Sequence, residues 1–334
     1  MKRFTMLLLI LVFVISGLWA AGGRDQGGTI RLRFAHIGVE HDIMGIFANE
    51  FAKRVQDQTY GRIVVEVFPN AALGGIEEML NSVSNGTIDI GMQDFALLAS
   101  FTPDMAVFSA PFIFRDAAHS MRVTCPHTSP VMQELNANLI SSGGMRIIAN
   151  CYRGARQLSA NFPVRTPADL AGRRIRSVPL PIFMSMIRGM GATPTPVAFG
   201  ELATALATGL ADGQENPINT IYNSRLYEVQ SHIMMTNHMQ AIQTVFINER
   251  RWQSIPESDR RIIERISMEL GNESVRWAEA SDREDSARLR ARGTTFIDVN
   301  DGLRIDLLRE AVLRQFFIDF PQWETLVNRI IAIP

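Results

Sequence analysis

Residues 29–68 read TIRLRFAHIGVEHDIMGIFANEFAKRVQDQTYGRIVVEVF and predict a strand, a helix and a second strand in succession. Apolar and polar residues alternate over 29–34, which is typical of a half-buried strand. Asp42 is placed to cap a helix with an apolar face, and Gly61 is placed to end it. Residues 63–68 form the second strand. Because the joints are short, we expect a right-handed crossover with parallel strands.

The same alternation of strands and helices continues through the rest of the chain. A second helix is predicted over 74–85 and a third strand over 88–92, whereas the proline-containing segment 101–114 is predicted to be packed irregular chain. Further strands are predicted at 145–150, 173–177 and 244–248, and further helices at 182–190 and 199–210. The pattern predicts an α/β fold.

One segment, 257–292, is predicted to form a much longer helix. Acidic residues favour its start, apolar residues keep helical spacing, and Gly293 is placed to end it. About 36 residues at 1.5 Å each span roughly 54 Å. A lobe of ~120 residues, with a gyration radius near 13 Å, is narrower than that. We therefore expect this helix to back two lobes; the alternative is a kink at Gly271 that gives two shorter helices.

Composition bounds the class of protein. The chain has 334 residues, of which 46% are hydrophobic and 20% charged, so it is long enough for two globular domains. Its formal net charge of −1 gives no electrostatic reason to expect nucleic acid or an anionic membrane as a partner.

Residues 1–23 are predicted to be a secretory signal peptide. Lys2 and Arg3 precede an apolar run over 6–19 that is short for a membrane span, and small residues follow it. The prediction places the mature protein outside the cytoplasm. An uncleaved membrane anchor is the alternative interpretation of this segment.

Cysteines and histidines give little support for a disulfide framework, a metal or another cofactor. Cys125 and Cys151 are the only cysteines, and a free buried thiol is the commoner state for Cys151, although a bridge stays open. His36 and His41 lack a nearby third ligand at helical spacing, so a metal is not expected. Together with Glu40 they lie in the first strand-to-helix loop, where we expect them to line the rim of a ligand cleft; the alternative is that they contact ligand hydroxyls. No GK[ST] phosphate-binding loop is present, so no ATP site is expected.

The motif DGQENP, residues 212–217, carries the strongest functional signal together with Arg156 and Arg176. Its glycine and proline predict a rigid turn that presents polar side chains. Two guanidiniums and one carboxamide are groups that recognise a carboxylate. Ser159 and His127 are available as nucleophile and base, but neither lies in a catalytic motif. The segment therefore predicts capture of a small organic anion without conversion.

Several motifs together resemble the solute-binding proteins of tripartite ATP-independent periplasmic (TRAP) transporters, of the dicarboxylate-binding (DctP) type. They are RLRFAH from 31, GRIVVEVFPNAALGG from 61, NGTIDIG from 85, RTPADLAGRRIR from 165, GATPTPVAFGELATAL from 191, DGQENP from 212, YEVQ from 227 and TNH from 236. Long motifs in the family order are more specific than any single one, and they cover the chain after the predicted signal.

The resemblance implies a two-lobed clamp, like type II periplasmic binding proteins, with mixed sheets, strands that cross between the lobes and a long helix that spans both. Lobe I is expected to comprise 29–153 and 242–281, and lobe II 154–241 and 282–334, with the ligand cleft between them. The expected partners are a small organic acid and the small and large integral permease subunits, and the protein is expected to be a monomer.

The resemblance also implies the ligand-binding residues. Arg176 follows GRRI and makes a bidentate salt bridge with a substrate carboxylate, because a planar guanidinium matches two carboxylate oxygens. Asn216 donates to the same carboxylate, and Arg156 is the second arginine of the family. Phe199 packs on the carbon skeleton of the ligand, and Asp94 lies where the family places an acidic or polar contact.

The sequence departs from the family pattern after Arg176, where Ser177 replaces the usual Val. C4-dicarboxylates, sugar acids and 2-oxo acids all fit the predicted chemistry. A ligand sensor that reports to a receptor and a carboxylate-acting enzyme are the alternatives to a transport role.

Overall fold

The structure of the protein is a computed structural model that describes residues 28–334. The predicted signal peptide, residues 1–23, lies outside the described residues. Among those described, none of the helices is both long and apolar enough to cross a membrane.

The described chain alternates strands and helices, as predicted. The strands are β1 (Ile30–His36), β2 (Ile63–Phe68), β3 (Ile90–Asp94), β4 (Met145–Ala160), β5 (Arg174–Ser177), β6 (Thr193–Pro196), β7 (Gly213–Pro217), β8 (His232–Asn248) and β9 (Thr295–Ile297). The α-helices are α1 (Ile43–Gln58), α2 (Ile76–Asn85), α3 (Ala117–Thr124), α4 (Pro130–Gly143), α5 (Pro181–Gly189), α6 (Leu202–Ala207), α7 (Ile218–Asn223), α8 (Glu249–Gln253), α9 (Glu257–Ala291), α10 (Ile305–Asp319) and α11 (Glu324–Ile331).

One mixed sheet connects all of these strands, in the order β2-β1-β3-β8-β4-β7-β5-β6, with β9 also paired to β8. The pairs β1–β2 and β1–β3 are parallel, and so are β5–β6 and β5–β7. The long central strands β4 and β8 pair antiparallel to each other. The predicted mixed α/β fold is confirmed.

The β1–α1–β2 unit forms as the sequence predicts. The Asp42 carboxylate caps α1 by accepting a hydrogen bond from the Gly45 N–H at 3.0 Å. Apolar side chains on one face of α1, among them Phe47 and Phe51, are buried on the sheet. That burial fixes the helix over the parallel pair β1–β2.

The long helix α9 is uninterrupted over its 35 residues, so the alternative with a kink at Gly271 is wrong. A Cβ at Gly271 would lie 3.0 Å from Oδ1 and 3.1 Å from the carbonyl oxygen of Asn150 on β4. Glycine therefore permits close helix–strand packing at this point. Leu270 belongs to the apolar cluster around α1, whereas Leu289 belongs to a cluster around α6 and α7, so α9 contributes to both.

Two predicted segments differ in extent. The helix predicted over 199–210 is a 3-10 turn at Phe199–Glu201 followed by the short helix α6. The segment 101–114 contains a buried 3-10 helix at Pro103–Ser109 rather than irregular chain alone. The prolines interrupt regular helices, but the local apolar residues still pack into the core.

The prediction of a rigid turn over 212–217 is wrong. Gly213–Pro217 is the fully buried strand β7, which pairs antiparallel with β4. A Cβ at Gly213 would lie 2.5 Å from the Ser159 carbonyl oxygen and 2.9 Å from Ile175 Cδ1. Glycine is thus required by close strand packing and not by a turn.

The cysteines and Ser177 fit their surroundings without special chemistry. Cys125 and Cys151 are both free, and burial raises the pKa of the Cys151 thiol. Ser177 is buried, and its hydroxyl donates to the Val178 carbonyl at 2.7 Å. The local hydrogen bond accommodates the departure from the family pattern.

One acidic side chain of α9 lies against the backbone of β4. The Asp282 carboxylate oxygens would lie 3.3 and 3.4 Å from a Cβ at Gly154. Its Oδ1 is buried without a hydrogen-bond partner in the described part of the chain. Burial, together with the charges of Asp285 and Glu279, raises the Asp282 pKa to about 7.

Asp282→Asn is expected to stabilise the fold at alkaline pH. A carboxyl whose pKa is raised on folding stabilises the protein at low pH. The protein loses this contribution as pH rises from about 4 through 7, because the folded state resists ionisation of the carboxyl. The free energy of unfolding of the variant should exceed that of the wild type by about 1–3 kcal/mol at pH 8, at ~1.4 kcal/mol per pKa unit, and by less at pH 5. Denaturant titrations at both pH values measure the difference.

The matched control is Glu284→Gln, because Glu284 lies on the same helix in an exposed pair with Arg288. It should change the free energy of unfolding by less than about 0.5 kcal/mol. If the free energy of unfolding of Asp282→Asn does not exceed that of the wild type by more at pH 8 than at pH 5, ionisation of Asp282 carries no free-energy cost in the folded protein.

Candidate ligand-binding site

All the predicted site residues line one pocket: Arg176, Asn216, Arg156, Phe199 and Asp94. The first three lie on the neighbouring strands β5, β7 and β4, which the sheet order places side by side. Asp94 is the last residue of β3, and Phe199 follows β6. The sheet therefore brings together residues that are far apart in the sequence.

Arg176 is a buried guanidinium with no carboxylate in hydrogen-bond contact among the described residues. The whole residue is 1% exposed, and its Nε donates to the Val197 carbonyl oxygen at 2.8 Å. Burial lowers the Arg176 pKa to about 10, although the charge of Glu215 opposes the change. The side chain therefore stays cationic at neutral pH and retains donors for an anion.

Arg156, in contrast, is held by an acid. Its Nε donates to Glu215 Oε2, and its Nη2 donates to Glu215 Oε1 at 2.8 Å and to Asn216 Oδ1 at 3.1 Å. Its guanidinium carbon also lies 5.4 Å from the centre of the Phe183 ring. The fork-to-fork pair with Glu215 fixes the orientation of Arg156 before any ligand arrives.

Glu215 and His238 form a buried support behind Arg156. Burial alone would raise the Glu215 pKa, but Arg156 and His238 outweigh it and lower the pKa to about 2. His238 Nε2 lies 3.0 Å from Glu215 Oε2, and its Nδ1 lies 2.8 Å from the Thr236 hydroxyl. Sequence reasoning missed this support, although Glu215 is part of DGQENP and His238 of the TNH motif.

Asn216 is fixed at both ends of its carboxamide. Its Oδ1 accepts from Arg156, and its Nδ2 donates to Gln214 Oε1 at 2.6 Å. Gln214 in turn donates to the Ser159 hydroxyl at 2.8 Å. One N–H of the carboxamide is left for a ligand oxygen.

Asp94 is the acidic residue of the pocket. Its Oδ1 accepts from the Ala96 N–H at 2.9 Å and from the Ser109 hydroxyl. Burial raises the Asp94 pKa, and these hydrogen bonds oppose the change. Because both bonds go to Oδ1, the second carboxyl oxygen is available to a polar group of a ligand.

An apolar mouth opens next to this polar pocket. A cavity of about 630 Å³ shares Ile37, Ile76, Val178 and Phe199 with it. These residues come from the loop after β1, from α2 and from the loops after β5 and β6. Such an apolar cleft with a few convergent polar groups is typical of small-molecule sites.

Three further polar residues line the pocket that sequence reasoning did not single out: Arg153, Gln93 and Gln243. The alternation of a strand would place residues 153 and 156 on opposite faces. A bulge in β4 between Tyr152 and Ala155 changes that alternation, so both arginines reach the pocket. The only sequence signal was the presence of a second arginine close to Arg156.

His36 does not lie at the rim of the cleft as expected, and His41 is not among the residues that line the pocket. His36 is buried at the end of β1, and its ring nitrogens have no hydrogen-bond partner in residues 28–334. His41 is exposed, and Ile37 and Gly38 line the pocket instead. Over the described residues, no cluster of His, Cys, Asp and Glu is suited to hold a metal ion.

Ser159 and His127 do not form a catalytic pair. The Ser159 hydroxyl is bonded to Gln214 and Gln230, whereas His127 Nε2 lies 2.9 Å from the Ile148 carbonyl oxygen. Neither side chain lines the pocket with Arg176. The polar groups that converge in the pocket are suited to orient and bind an anion.

The fold and the arginine-lined cleft define an extracellular solute-binding protein. Residues 34–309 match the bacterial extracellular solute-binding protein family 7, also called DctP, and the chain belongs to this family. The resemblance to TRAP solute-binding proteins is therefore confirmed. The family binds and delivers solutes rather than transforming them, so the enzyme alternative is not supported.

Similar proteins bind different organic acids. The chain is 29% identical over 318 residues to the 2,3-diketo-L-gulonate-binding periplasmic protein of Escherichia coli K12, covering 95% of each chain. It is 27% identical over 273 residues to the C4-dicarboxylate-binding periplasmic protein of Vibrio cholerae, covering 80% of this chain and 81% of that one.

A crystal structure of a TRAP periplasmic solute-binding protein from Roseobacter denitrificans with bound L-galactonate is also similar. Its TM-score is 0.82 at 27% identity, and the match covers 91% of this chain and 99% of that chain.

Glu215→Gln is expected to destabilise the protein because it leaves the buried Arg156 charge unpaired. Removing one partner of a buried ion pair costs about 3–5 kcal/mol. This loss of stability should have its full size at neutral pH. It should shrink as pH falls from about 4.5 through 2, because Glu215, with a lowered folded pKa, contributes stability only while it is ionised. Denaturant titration over this pH range measures it.

The control is Glu66→Gln, because Glu66 forms an exposed ion pair with Arg31. Its effect should stay within about 0.5 kcal/mol. An equal loss in the two variants would contradict a special role for the buried pair.

Proposed function

We propose that this protein captures a small organic acid by its carboxylate in the periplasm and delivers it to the membrane subunits of a TRAP permease. The observation that carries the proposal is the state of Arg176. It is a buried cation in a small polar pocket beside a cavity of about 630 Å³, and it has only a backbone carbonyl as hydrogen-bond partner in the described chain. Such a charge is unfavourable when unpaired, and an anion satisfies it.

In this proposal Arg176 receives the carboxylate through paired hydrogen bonds, because its planar fork matches two oxygens. Asn216 donates its free N–H to the same carboxylate, and Arg156, oriented by Glu215, gives a supporting contact. Phe199 packs on the carbon skeleton at the cleft mouth, and Asp94 accepts from a ligand hydroxyl.

The proposed substrate is a sugar acid or a C4-dicarboxylate. The relatives bind, by name or in the crystal, 2,3-diketo-L-gulonate, a C4-dicarboxylate and L-galactonate. The polar lining of this pocket contains Gln93, Asp94 and Gln243 in addition to the arginines. Amides and a carboxyl are suited to hydroxyl groups, and this favours a hydroxylated acid.

The proposed cycle needs two lobes, 29–153 with 242–281 and 154–241 with 282–334, that close on the ligand. Residues from both segments line the pocket, for example Asp94 and Arg176. An anion that contacts both favours the closed form, because only differential contacts shift a conformational equilibrium. The closed monomer, exported through the signal peptide over 1–23, then docks on the small and large permease subunits.

Arg176→Ala is expected to weaken binding of the cognate acid by about 30-fold to several thousand-fold. Truncating one partner of a buried charged pair costs about 2–5 kcal/mol, at ~1.4 kcal/mol per tenfold. Arg176→Lys should fall between wild type and alanine, because an ammonium keeps the charge but loses the fork. Mass spectrometry of acid released from denatured protein identifies the ligand, and calorimetry measures each affinity.

The matched control is Arg174→Ala, because Arg174 lies on the same strand but is exposed and paired with Asp212. It should retain the wild-type affinity. Wild-type affinity in Arg176→Lys would contradict the bidentate contact.

Ligand binding is expected to make the protein more compact without consuming the ligand. Small-angle X-ray scattering at saturating acid should give a smaller radius of gyration, since closure brings the lobes together. Arg176→Ala at the same acid concentration should keep the unliganded profile. The acid should be recovered unchanged after long incubation; an unchanged profile at proven occupancy would argue against the clamp.

A further inference from the structure

Arg153 is a second buried arginine of the pocket, and its acidic neighbour Asp42 is not in hydrogen-bond contact with it. Its side chain is 9% exposed and lines the pocket with Arg156 and Arg176. Its Nη2 donates to the Thr220 hydroxyl at 2.8 Å, but its buried Nε has no partner anywhere in residues 28–334. The nearest carboxylate oxygen, Asp42 Oδ2, is 3.9 Å away, which is too far for a hydrogen bond.

Asp42 does not serve Arg153 in the way that Glu215 serves Arg156. The other Asp42 oxygen, Oδ1, accepts the N–H of Gly45 and caps α1. Arg156, in contrast, makes two direct bonds to its acid. A buried guanidinium with an open Nε–H is costly unless something completes its hydrogen bonds.

Arg153 and Arg176 line the pocket from two strands that are not neighbours in the sheet. Arg176 is on β5, separated from β4 by β7, whereas Arg153 lies on β4 two residues after Cys151, which pairs with Gln243 of β8. Gln243 pairs in turn with Asp94 of β3. A ligand held by Arg176 therefore reaches Arg153 with the end that is remote from its first carboxylate.

We propose that Arg153 recognises a second carboxylate, so that the ligand is a hydroxylated dicarboxylic acid. One carboxylate meets Arg176 and Asn216, the second meets Arg153, and the hydroxyls between them face Gln93, Asp94 and Gln243. The inference rests on the proposed function and narrows its substrate class. It makes Arg153 the residue that discriminates diacids from monoacids.

A purely structural role of Arg153 makes a different prediction. The residue also ties α7 to β4, because its carbonyl accepts from Asn219 at 2.6 Å and its side chain donates to Thr220. If that were its whole role, replacing Arg153 would weaken the binding of every ligand by the same factor. The ratio of diacid to monoacid affinity separates the two roles.

The experiment measures affinities by calorimetry for three matched pairs in which one carboxylate is replaced: galactarate with L-galactonate, D-glucarate with D-gluconate, and L-malate with (R)-3-hydroxybutyrate. Wild-type protein should bind at least one diacid about tenfold or more tightly than its monoacid. Arg153→Gln should weaken that diacid by about 10- to 100-fold and leave the monoacid within about threefold, since only the second carboxylate loses its cation.

Two further variants keep the test independent of folding. Thr220→Val removes the hydrogen bond to Arg153 but leaves the guanidinium, so the diacid preference should persist. Arg153→Lys keeps a positive charge and should retain part of the preference. The control is Arg283→Gln on the exposed side of α9, which should match the wild type.

The outcomes separate the inference from the proposed function. Monoacid binding as tight as diacid binding in the wild type, or an equal loss of both in Arg153→Gln, overturns the role of Arg153 and leaves carboxylate capture intact. If folded wild-type protein binds none of the acids in these pairs, the result counts against the proposed substrate class and therefore also against the inference.

Discussion

The pairing of β4 with β8 is the constraint on which the rest of the structure depends. These strands, of 16 and 17 residues, form the middle of the sheet. The parallel unit β1–β2–β3 joins them through β3 on β8, and the unit β5–β6–β7 joins them through β7 on β4. The pocket lies where these two units meet the central pair, so its geometry follows from their register.

The buried arginines of the site divide into two electrostatic states. Arg156 is matched by Glu215, and this pair resembles an ordinary buried ion pair that holds its shape without ligand. Arg176 has only a carbonyl for a partner in the described chain, so its desolvation is not balanced within the protein. In the proposed function, an arriving carboxylate supplies the partner that Arg176 lacks. Part of the stability that the unpaired charge costs the free protein is then recovered as affinity, whereas Arg156 provides the fixed frame.

The elements that could be predicted are those with uninterrupted periodicity. The unit β1–α1–β2 and the helix α9 were predictable because each buries one face and exposes the other. The middle of β4 and β8 was not, because polar residues such as Gln157 and His238 are buried there and hide the strand pattern. The strand β7 was mistaken for a turn because Gly213 and Pro217 are common in turns, whereas here packing requires the glycine.

Only those site residues that lie in recognisable sequence motifs were predictable. Arg176 and Asn216 follow from the residue types around them, and the structure places them in one pocket. Arg153 was not predictable, because the face on which it emerges depends on a bulge that no alternation pattern reveals. The bulged strand also connects the segments assigned to the two lobes. In the proposed clamp, a ligand that contacts Arg176 alone binds the open and the closed form equally well. It therefore does not shift the equilibrium towards the closed form. Only a ligand long enough to contact both sides of β4 distinguishes the two forms, so the length and the second polar end of the acid decide whether capture leads to closure.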